Sequence, residues 1–300
     1  MAKLVECIPN FSEGRRKEVI EAIADAIRAV KGVRLLDYSY DQNHNRSVFT
    51  FVGDPEGVKE AAFASAAKAA ELIDMTKHKG EHPRMGAVDV IPFVPVKDVT
   101  MEECVEISRQ VGERIARELS IPVFLYEESA TRPERKSLAD IRRGEFEGMA
   151  EKIKGPAWAP DFGKPEIHPT AGAVAVGARM PLIAFNVNLN TSDINIAKNI
   201  AKVIRESGGG LKNVRAIGVM LEDKNIAQVS MNMTNYEKTS LYRAFELIKI
   251  EAKRYGVNVI GSEIVGITPM KALIDVAKYY LQLENFDDKK QILENYLIPE

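Results

Sequence analysis

The order of predicted elements constrains this chain more than any other feature, because the same order occurs twice. Hydrophobic periodicity predicts strand, helix, strand, strand, helix, strand over residues 3–96, and again over residues 181–266. The hairpin in third and fourth place and the long second helix recur, although identity between the halves is slight. We therefore predict an α+β chain built from a duplicated ferredoxin-like unit, with four antiparallel strands and two helices on one face.

Two stretches lie outside this repeat. After a predicted helix over 100–120 and a short strand over 121–127, residues 128–178 are rich in glycine and proline and predict at most two short helical pieces. Segments of this kind in compact proteins are usually functional or are linkers. A final helix over 269–284 and a tail over 289–300 follow the second repeat, and the tail's periodicity indicates packing, in one interpretation against a second subunit.

The repeat also predicts the division into domains. Each ferredoxin-like unit leaves one sheet face bare, so two units in one chain can cover each other or enclose a ligand cleft. A chain of 300 residues is long enough for two domains. We predict an N-terminal subdomain over residues 1–178, a C-terminal subdomain over 179–300, and a substrate cleft or tunnel between them.

Composition excludes several classes of function. The chain has 41 basic and 43 acidic residues, so it lacks the overall field on which non-specific nucleic-acid binding depends. Cys7 and Cys104 are far apart and form no CxxC, which argues against disulfides and thiolate zinc sites. We find neither a signal-peptide pattern nor an apolar run of membrane-spanning length. We expect a soluble cytoplasmic protein that binds neither nucleic acid nor membrane.

Residues 78–96, HKGEHPRMGAVDVIPFVPV, place two histidines before a buried apolar strand. An alanine-rich helix is predicted over 54–80, and Gly80 and Pro83 argue against one helix that carries both His78 and His82. A zinc-binding pair is therefore disfavoured. His82 fits a general base, because an unperturbed imidazole has a pKa of ~6.5, and the alternative, which the residues alone favour, is a surface or capping imidazole.

Residues 160–181, PDFGKPEIHPTAGAVAVGARMP, combine glycines with hydrogen-bond donors. Glycine permits close backbone approach to a flat ligand. The alternative is a linker held in place by Trp158 and Phe162. The glycines are Gly163, Gly172 and Gly177, and the donors are Lys164, His168 and Arg179.

Arg46 begins a predicted strand after the polar stretch DQNHN. A guanidinium in this place can bind a carboxylate through two hydrogen bonds. The alternative is a charge at a hairpin tip that points into solvent.

Assembled, these segments resemble one family over nearly the whole chain. LVECIPNFSEGRR, LIDMTKHKGEHPRMGAVDVIPFVPV, WAPDFG, GAVAVGARMPLIAFNVNLNT, KNIAQVSMNMTNYE and IGSEIVGITPMKAL resemble successive motifs of the glutamate formimidoyltransferase (formiminotransferase) family. Members move a formimino group between N-formimino-L-glutamate and tetrahydrofolate in histidine degradation. The resemblance implies a duplicated ferredoxin-like fold with a substrate tunnel, a homodimer, tetrahydrofolate as co-substrate and no metal.

The resemblance also implies roles for particular residues. It makes His82 the catalytic acid/base. Both substrates carry carboxylates, for which Arg46, Lys164 and Arg179 are our candidate partners. The folate-contacting stretch corresponds to Gly163, Lys164, Pro165, Glu166, Ile167, His168, Pro169, Thr170, Ala171 and Gly172.

The chain departs from the family pattern at Ser39, where relatives carry an acidic residue, and Asp37 and Asp41 flank this position. Any acid role at position 39 is therefore in doubt. In animal relatives the transferase is fused to a cyclodeaminase, so we expect a separate cyclodeaminase as the metabolic partner. Two alternatives stay open: transfer of a formyl group from N-formylglutamate, and a non-catalytic module that binds folate or an amino acid.

Overall fold

The computed structural model describes residues 3–297 of the chain. The chain divides into two compact units, Met1–Arg179 and Met180–Glu300. Each unit has its own β-sheet and its own apolar core. The α+β class predicted from the sequence is therefore confirmed.

The first unit contains a sheet in which a short antiparallel part is extended by two parallel strands. Its strands are β1 (Leu4–Cys7), β2 (Asn10–Phe11), β3 (Val33–Asp41), β4 (Arg46–Gly53), β5 (Val88–Lys97), β6 (Val123–Glu127) and β7 (Val174–Ala178). The order is β1-β4-β2-β5-β7-β6, and β3 pairs with β4. β1 and β2 both pair with β4 and with β5, so together they fill one place in the sheet. β7 runs parallel to both β5 and β6.

Helices cover both faces of this sheet. They are α1 (Lys17–Arg28), α2 (Pro55–Leu72), α3 (Met101–Leu119), α4 (Leu138–Arg142) and α5 (Glu145–Lys152), with 3₁₀ turns at Pro133–Arg135 and Pro156–Trp158. The first three pack apolar side chains against one face of the sheet, and each fully buried Ile or Phe there contributes about 1.5–3 kcal/mol. α4 and α5 cover the other face beside β5, β6 and β7.

The second unit has a four-stranded antiparallel sheet. Its elements are β8 (Ile183–Leu189), α6 (Ile194–Ile204), β9 (Val214–Leu221), β10 (Ile226–Met233), α7 (Leu241–Arg254), β11 (Val259–Val265), α8 (Met270–Tyr280), α9 (Asp288–Gln291) and α10 (Glu294–Leu297). The strand order is β11-β8-β10-β9. Apolar residues of all four strands pack against α6 and α7. Residues 298–300 of the predicted tail lie outside the described residues.

Helix starts follow the local signals in the sequence, but one predicted helix end is wrong. Asp54 caps α2 by accepting from the backbone N–H of Glu56 and Gly57. The predicted helix over 54–80 instead ends at Leu72, because the Met75 N–H donates to the Thr170 carbonyl, at 2.8 Å. A long-range hydrogen bond therefore replaces the last predicted turns.

Residues 128–178 contain the two short helices that the sequence predicts, α4 and α5, and also a strand that it does not. β7 consists of small side chains and is completely buried between β5 and β6. Its Gly177 lies so close to its neighbour that a Cβ there would be 2.4 Å from the Tyr126 carbonyl oxygen. The long second helix of the second repeat, α7, begins at Leu241.

Two expectations from composition concern cysteines and membranes. Cys7 and Cys104 are both free and buried, and burial raises the pKa of both thiols, that of Cys104 to about 12. Within residues 3–297, we find no helix with both the length and the apolar composition needed to cross a membrane.

Candidate active site

The two histidines of residues 78–96 lie on an irregular connection between α2 and β5. This connection is held by backbone hydrogen bonds to residues 170–173: Ala87 N–H donates to the Ala171 carbonyl at 2.9 Å, and Ala173 N–H donates to the Met85 carbonyl at 3.0 Å. The structure therefore brings the end of the predicted folate-contacting stretch against the connection that carries His82.

His82 is half-buried, and one of its ring nitrogens is fixed. Nδ1 lies 2.7 Å from the Pro83 carbonyl oxygen, so Nδ1 carries the proton of the neutral ring and donates it to that oxygen. Nε2 then holds a lone pair. Burial, followed by the positive charges of Arg46 and Arg142, lowers the pKa of His82 to about 4. At neutral pH, His82 is a neutral imidazole that can accept a proton.

A buried carboxylate, Asp89, holds both of these arginines. Arg46 Nη1 donates to Asp89 Oδ2 at 2.8 Å, and Arg142 donates to both oxygens, from Nε to Oδ1 at 3.2 Å and from Nη2 to Oδ2. The Met85 N–H is a fourth donor to this carboxylate, at 3.1 Å. Burial by itself raises the pKa of Asp89, but Arg142 and Arg46 outweigh it and lower the pKa to about 2. Two guanidinium groups share one carboxylate, so the cluster carries a net positive charge beside His82.

Arg46 is therefore not a hairpin-tip charge in solvent. Its side chain is 11% exposed, and Nη2 also donates to Asn10 Oδ1, at 2.9 Å. Arg179 adds a further positive charge near this cluster, because Arg179 and Arg142 both lower the pKa of Tyr126, although burial dominates and raises it to about 12. Arg179 also opposes the rise that burial causes in the pKa of Glu6.

His78 has the contacts of a structural residue. Its Nε2 lies 3.0 Å from the Asn45 carbonyl oxygen, and its Nδ1 accepts from Arg84 Nε at 3.2 Å. Arg84 is nearly buried and forms ion pairs with Glu145 and Glu147 at the start of α5. His78 and Arg84 thus fasten the connection to α5 and to the β3–β4 hairpin, with both imidazole nitrogens engaged.

The predicted folate-contacting stretch changes from exposed to buried along its length. Residues 163–166 are exposed, whereas Ala171 and Gly172 are buried. His168 closes the turn, because its Nδ1 accepts from the N–H groups of Thr170, at 3.3 Å, and Ala171, at 3.0 Å. Gly172 has a positive φ of 72°, and a Cβ there would lie 2.3 Å from the Met85 carbonyl oxygen. This glycine is required by the protein's own packing.

The predicted site residues differ in where the structure places them. The structure brings Arg46 close to His82, Arg179 acts electrostatically on Glu6 and Tyr126, and Lys164 is exposed at the start of the folate-contacting stretch. Asp37, Ser39 and Asp41 are exposed on β3. Sequence reasoning missed Asn10, Asp89 and Arg142. Asp89 did carry a signal, since it is a single acid within an otherwise apolar buried strand.

Removing one arginine tests this electrostatic arrangement. We expect Arg142→Gln to raise the pKa of His82 above about 4, because Arg142 is one of the groups that lower it. NMR titration of the His82 ring measures this directly. The control is Arg143→Gln, since Arg143 is 80% exposed and pairs with Asp140. A His82 pKa that is equal in both variants would contradict the arrangement.

Metal ligands are not gathered in this site. Within residues 3–297, histidine, cysteine, aspartate and glutamate side chains nowhere form a group of three that could hold a metal ion. His78 and His82 each contact a backbone carbonyl oxygen, and Asp89 is paired with two arginines.

A neutral imidazole beside a buried cationic cluster, in an α+β chain, defines a candidate active site that favours anionic substrates. The family model for the formiminotransferase domain, N-terminal subdomain, matches residues 4–179, and the model for the formiminotransferase domain matches residues 184–296. The chain belongs to the formiminotransferase family.

Curated relatives give the same family. A glutamate formimidoyltransferase from Streptococcus pyogenes serotype M1 is 67% identical over 298 residues, which cover 99% of this chain and 100% of that protein. A glutamate formimidoyltransferase from Thermoplasma acidophilum is 56% identical and covers 95% of this chain and 94% of that protein. The formimidoyltransferase-cyclodeaminase of Mus musculus is 46% identical and matches 100% of this chain but 61% of its own length.

Proposed function

We propose that this chain is a glutamate formimidoyltransferase. It transfers the formimino group of N-formimino-L-glutamate to N5 of tetrahydrofolate, and the products are 5-formiminotetrahydrofolate and L-glutamate. The observation that carries the proposal is 67% identity over 99% of the chain to a curated glutamate formimidoyltransferase. Tetrahydrofolate acts in this proposal as a co-substrate.

His82 is the proposed proton carrier. N5 of tetrahydrofolate attacks the formimino carbon to form a tetrahedral intermediate, and N5 must then lose a proton while the glutamate nitrogen gains one as its bond to carbon breaks. The Nε2 lone pair can accept the first proton and return it to the leaving nitrogen. One imidazole thus serves both steps, and binding the two substrates together supplies a large further part of the rate.

The arginine cluster is the proposed site for a substrate carboxylate. Arg46 and Arg142 share Asp89, so one positive charge is left for an anionic ligand. An anion bound there also offsets the charges that lower the pKa of His82, and so moves that pKa toward the neutral range in which proton transfer is efficient. Lys164 and Arg179 are the candidates for the other carboxylates.

The folate-contacting stretch Gly163–Gly172 keeps the role that the family resemblance gives it. Its support is the set of backbone hydrogen bonds that joins residues 170–173 to the connection bearing His82. Folate bound along this stretch would therefore have one end close to the connection that carries His82.

We also propose that the two units are copies of one ferredoxin-like unit. In the first unit, β5, β1, β4 and β3 are neighbours in that order, and β11, β8, β10 and β9 repeat the order in the second. The corresponding subdomains are residues 1–178 and 179–300, and the family matches over 4–179 and 184–296 support this boundary. The substrate cleft expected from the sequence stays a prediction.

The oligomeric state, the location and the partner protein of this chain are also proposed. A homodimer, a cytoplasmic location and a separate cyclodeaminase all follow from the family resemblance. The relative from Mus musculus, a formimidoyltransferase-cyclodeaminase, motivates the proposal of a cyclodeaminase as metabolic partner.

Comparison of two donors tests the proposed reaction. We expect purified protein with tetrahydrofolate to release glutamate from N-formimino-L-glutamate much faster than from N-formyl-L-glutamate. A preference for the formyl donor would replace the formimino assignment with formyl transfer. Binding of folate without glutamate release from either donor would favour a non-catalytic module.

A further inference from the structure

The tip of the β3–β4 hairpin is fastened to the connection that bears His82. The Glu81 N–H donates to the Asn43 carbonyl oxygen at 3.2 Å. Gly80 lies so close to the hairpin that a Cβ there would be 2.2 Å from the His44 carbonyl oxygen. The hairpin tip therefore has a fixed position beside the proposed proton carrier, and both elements belong to the first unit.

Asp41 orients the His44 side chain at this tip. Asp41 Oδ1 accepts from the His44 backbone N–H at 2.7 Å, and His44 Nδ1 lies 2.9 Å from the same oxygen. The His44 backbone N–H is the largest of the causes that lower the pKa of Asp41, so this side chain is a carboxylate at neutral pH. Nδ1 can donate to the carboxylate from a neutral ring and from an imidazolium, so the contact fixes the His44 ring in either protonation state.

The His44 ring in turn contacts the His82 ring. The ring centroids are 6.1 Å apart and the planes are inclined by 67°, which is an edge-to-face arrangement. Aromatic pairs prefer this geometry over a face-to-face stack. The hydrogen bond of His82 to the Pro83 carbonyl joins the ring to the next residue of its own segment, whereas His44 reaches the ring from a different element. The two contacts together restrict how the imidazole can turn.

We infer that His44 is a positioning residue for His82, whose imidazole it holds in one orientation through ring packing. The inference rests on the proposed function, in which Nε2 of His82 must reach two nitrogens bonded to the same carbon, N5 of tetrahydrofolate and the glutamate nitrogen. A small displacement of a catalytic group lowers the rate steeply, so an imidazole that serves both steps requires a fixed ring. Asp41 supports this arrangement because it orients the ring that packs against His82.

Two substitutions at position 44 separate ring packing from proton transfer. His44→Ala removes the ring, so kcat for glutamate release from N-formimino-L-glutamate should fall roughly 10- to 100-fold, while the KM values for both substrates stay near native. His44→Phe keeps an aromatic ring that cannot carry a proton, and it should recover most of the lost kcat. The control is Gln42→Ala at the same exposed tip, which keeps the backbone carbonyl that accepts from Arg15 and should leave kcat unchanged.

NMR measures the ring contact without turnover. We expect nuclear Overhauser effects between the ring protons of His44 and His82 in the native protein, and between Phe and His82 protons in the His44→Phe variant. The His82 ring signals should broaden or multiply in His44→Ala, because the ring then samples more than one orientation. Circular dichroism of each variant, expected to be native, confirms that the fold is kept.

The possible results distinguish this inference from the proposed function. Native kcat in His44→Ala would overturn the inference. A His44→Phe variant as slow as His44→Ala would overturn it as well, and would make His44 a second proton carrier. If the native protein itself released no glutamate from N-formimino-L-glutamate, the proposed function would fail, and the NMR experiment would still decide the inference, since absence of the ring contact between the two histidines contradicts it.

Discussion

The His82→Ala variant is expected to have a kcat ~10²–10⁴-fold below that of the native protein, which is the usual contribution of one general acid/base. The loss follows from removing Nε2, the ring atom whose lone pair is left by the hydrogen bond between Nδ1 and the Pro83 carbonyl. Tetrahydrofolate affinity should stay near native, because the imidazole is proposed to move protons rather than to hold folate. Initial rates and equilibrium binding measured on the same preparation separate the two effects.

His78→Ala is the matched control for this variant. It removes a histidine from the same connection, but one whose two nitrogens contact the Asn45 carbonyl and Arg84. We expect a modest loss of stability, on the order of 1–2 kcal/mol, and a kcat much closer to native than that of the His82 variant. Equal loss of kcat in the two variants would return both histidines to consideration as a functional pair.

The second large effect is expected on stability. Asp89→Asn removes the negative charge between Arg46 and Arg142, two side chains that are only 11% and 14% exposed. Breaking a buried ion pair from one side costs about 3–5 kcal/mol, because a buried charge is left without compensation. Urea denaturation at neutral pH should show a loss of this size in the free energy of unfolding.

Asp41→Asn is the control for that experiment. Asp41 also pairs with a basic side chain, His44, but it is 55% exposed, so its removal should cost less than about 1 kcal/mol. Acid titration tests Asp89 independently: its pKa is lowered to about 2, so its contribution to stability is present above the unfolded pKa of ~3.9 and is lost as pH falls toward 2. Similar losses for the two variants would contradict the central position of Asp89.

Local sequence signals predicted the fold where short-range interactions decide it. Asp54 and Thr100 cap α2 and α3 at the starts predicted for the helices over 54–80 and 100–120, and the alternation in β8 and β10 marks the face toward the helices. The end of α2 was missed because the Thr170 carbonyl, 95 residues further along the chain, takes the Met75 N–H. β7 was missed because three of its five residues are alanine or glycine, which have weak strand preference, and the strand depends on burial between two other strands.

The candidate site also shows that local sequence does not predict long-range contacts. His82 was recognised because the information that identifies it is local in sequence. This information is its residue type, its spacing from His78 and the family motif around it. Its electrostatic surroundings were not, because Arg142 reaches Asp89 across 53 residues of sequence, and nothing in the short helix α4 marks that contact. Asp89 itself was detectable as an acid within a buried strand. Tertiary pairing, rather than local preference, sets the charge around the proton carrier.

The most direct test of the central claim is a single-turnover assay of the native protein with N-formimino-L-glutamate and tetrahydrofolate. The proposed function predicts that glutamate and 5-formiminotetrahydrofolate form in equal amounts, and that His82→Ala slows both together. Failure of the native protein to form either product, or unchanged rates in the variant, would contradict the assignment of His82 as the proton carrier of a formimidoyltransferase.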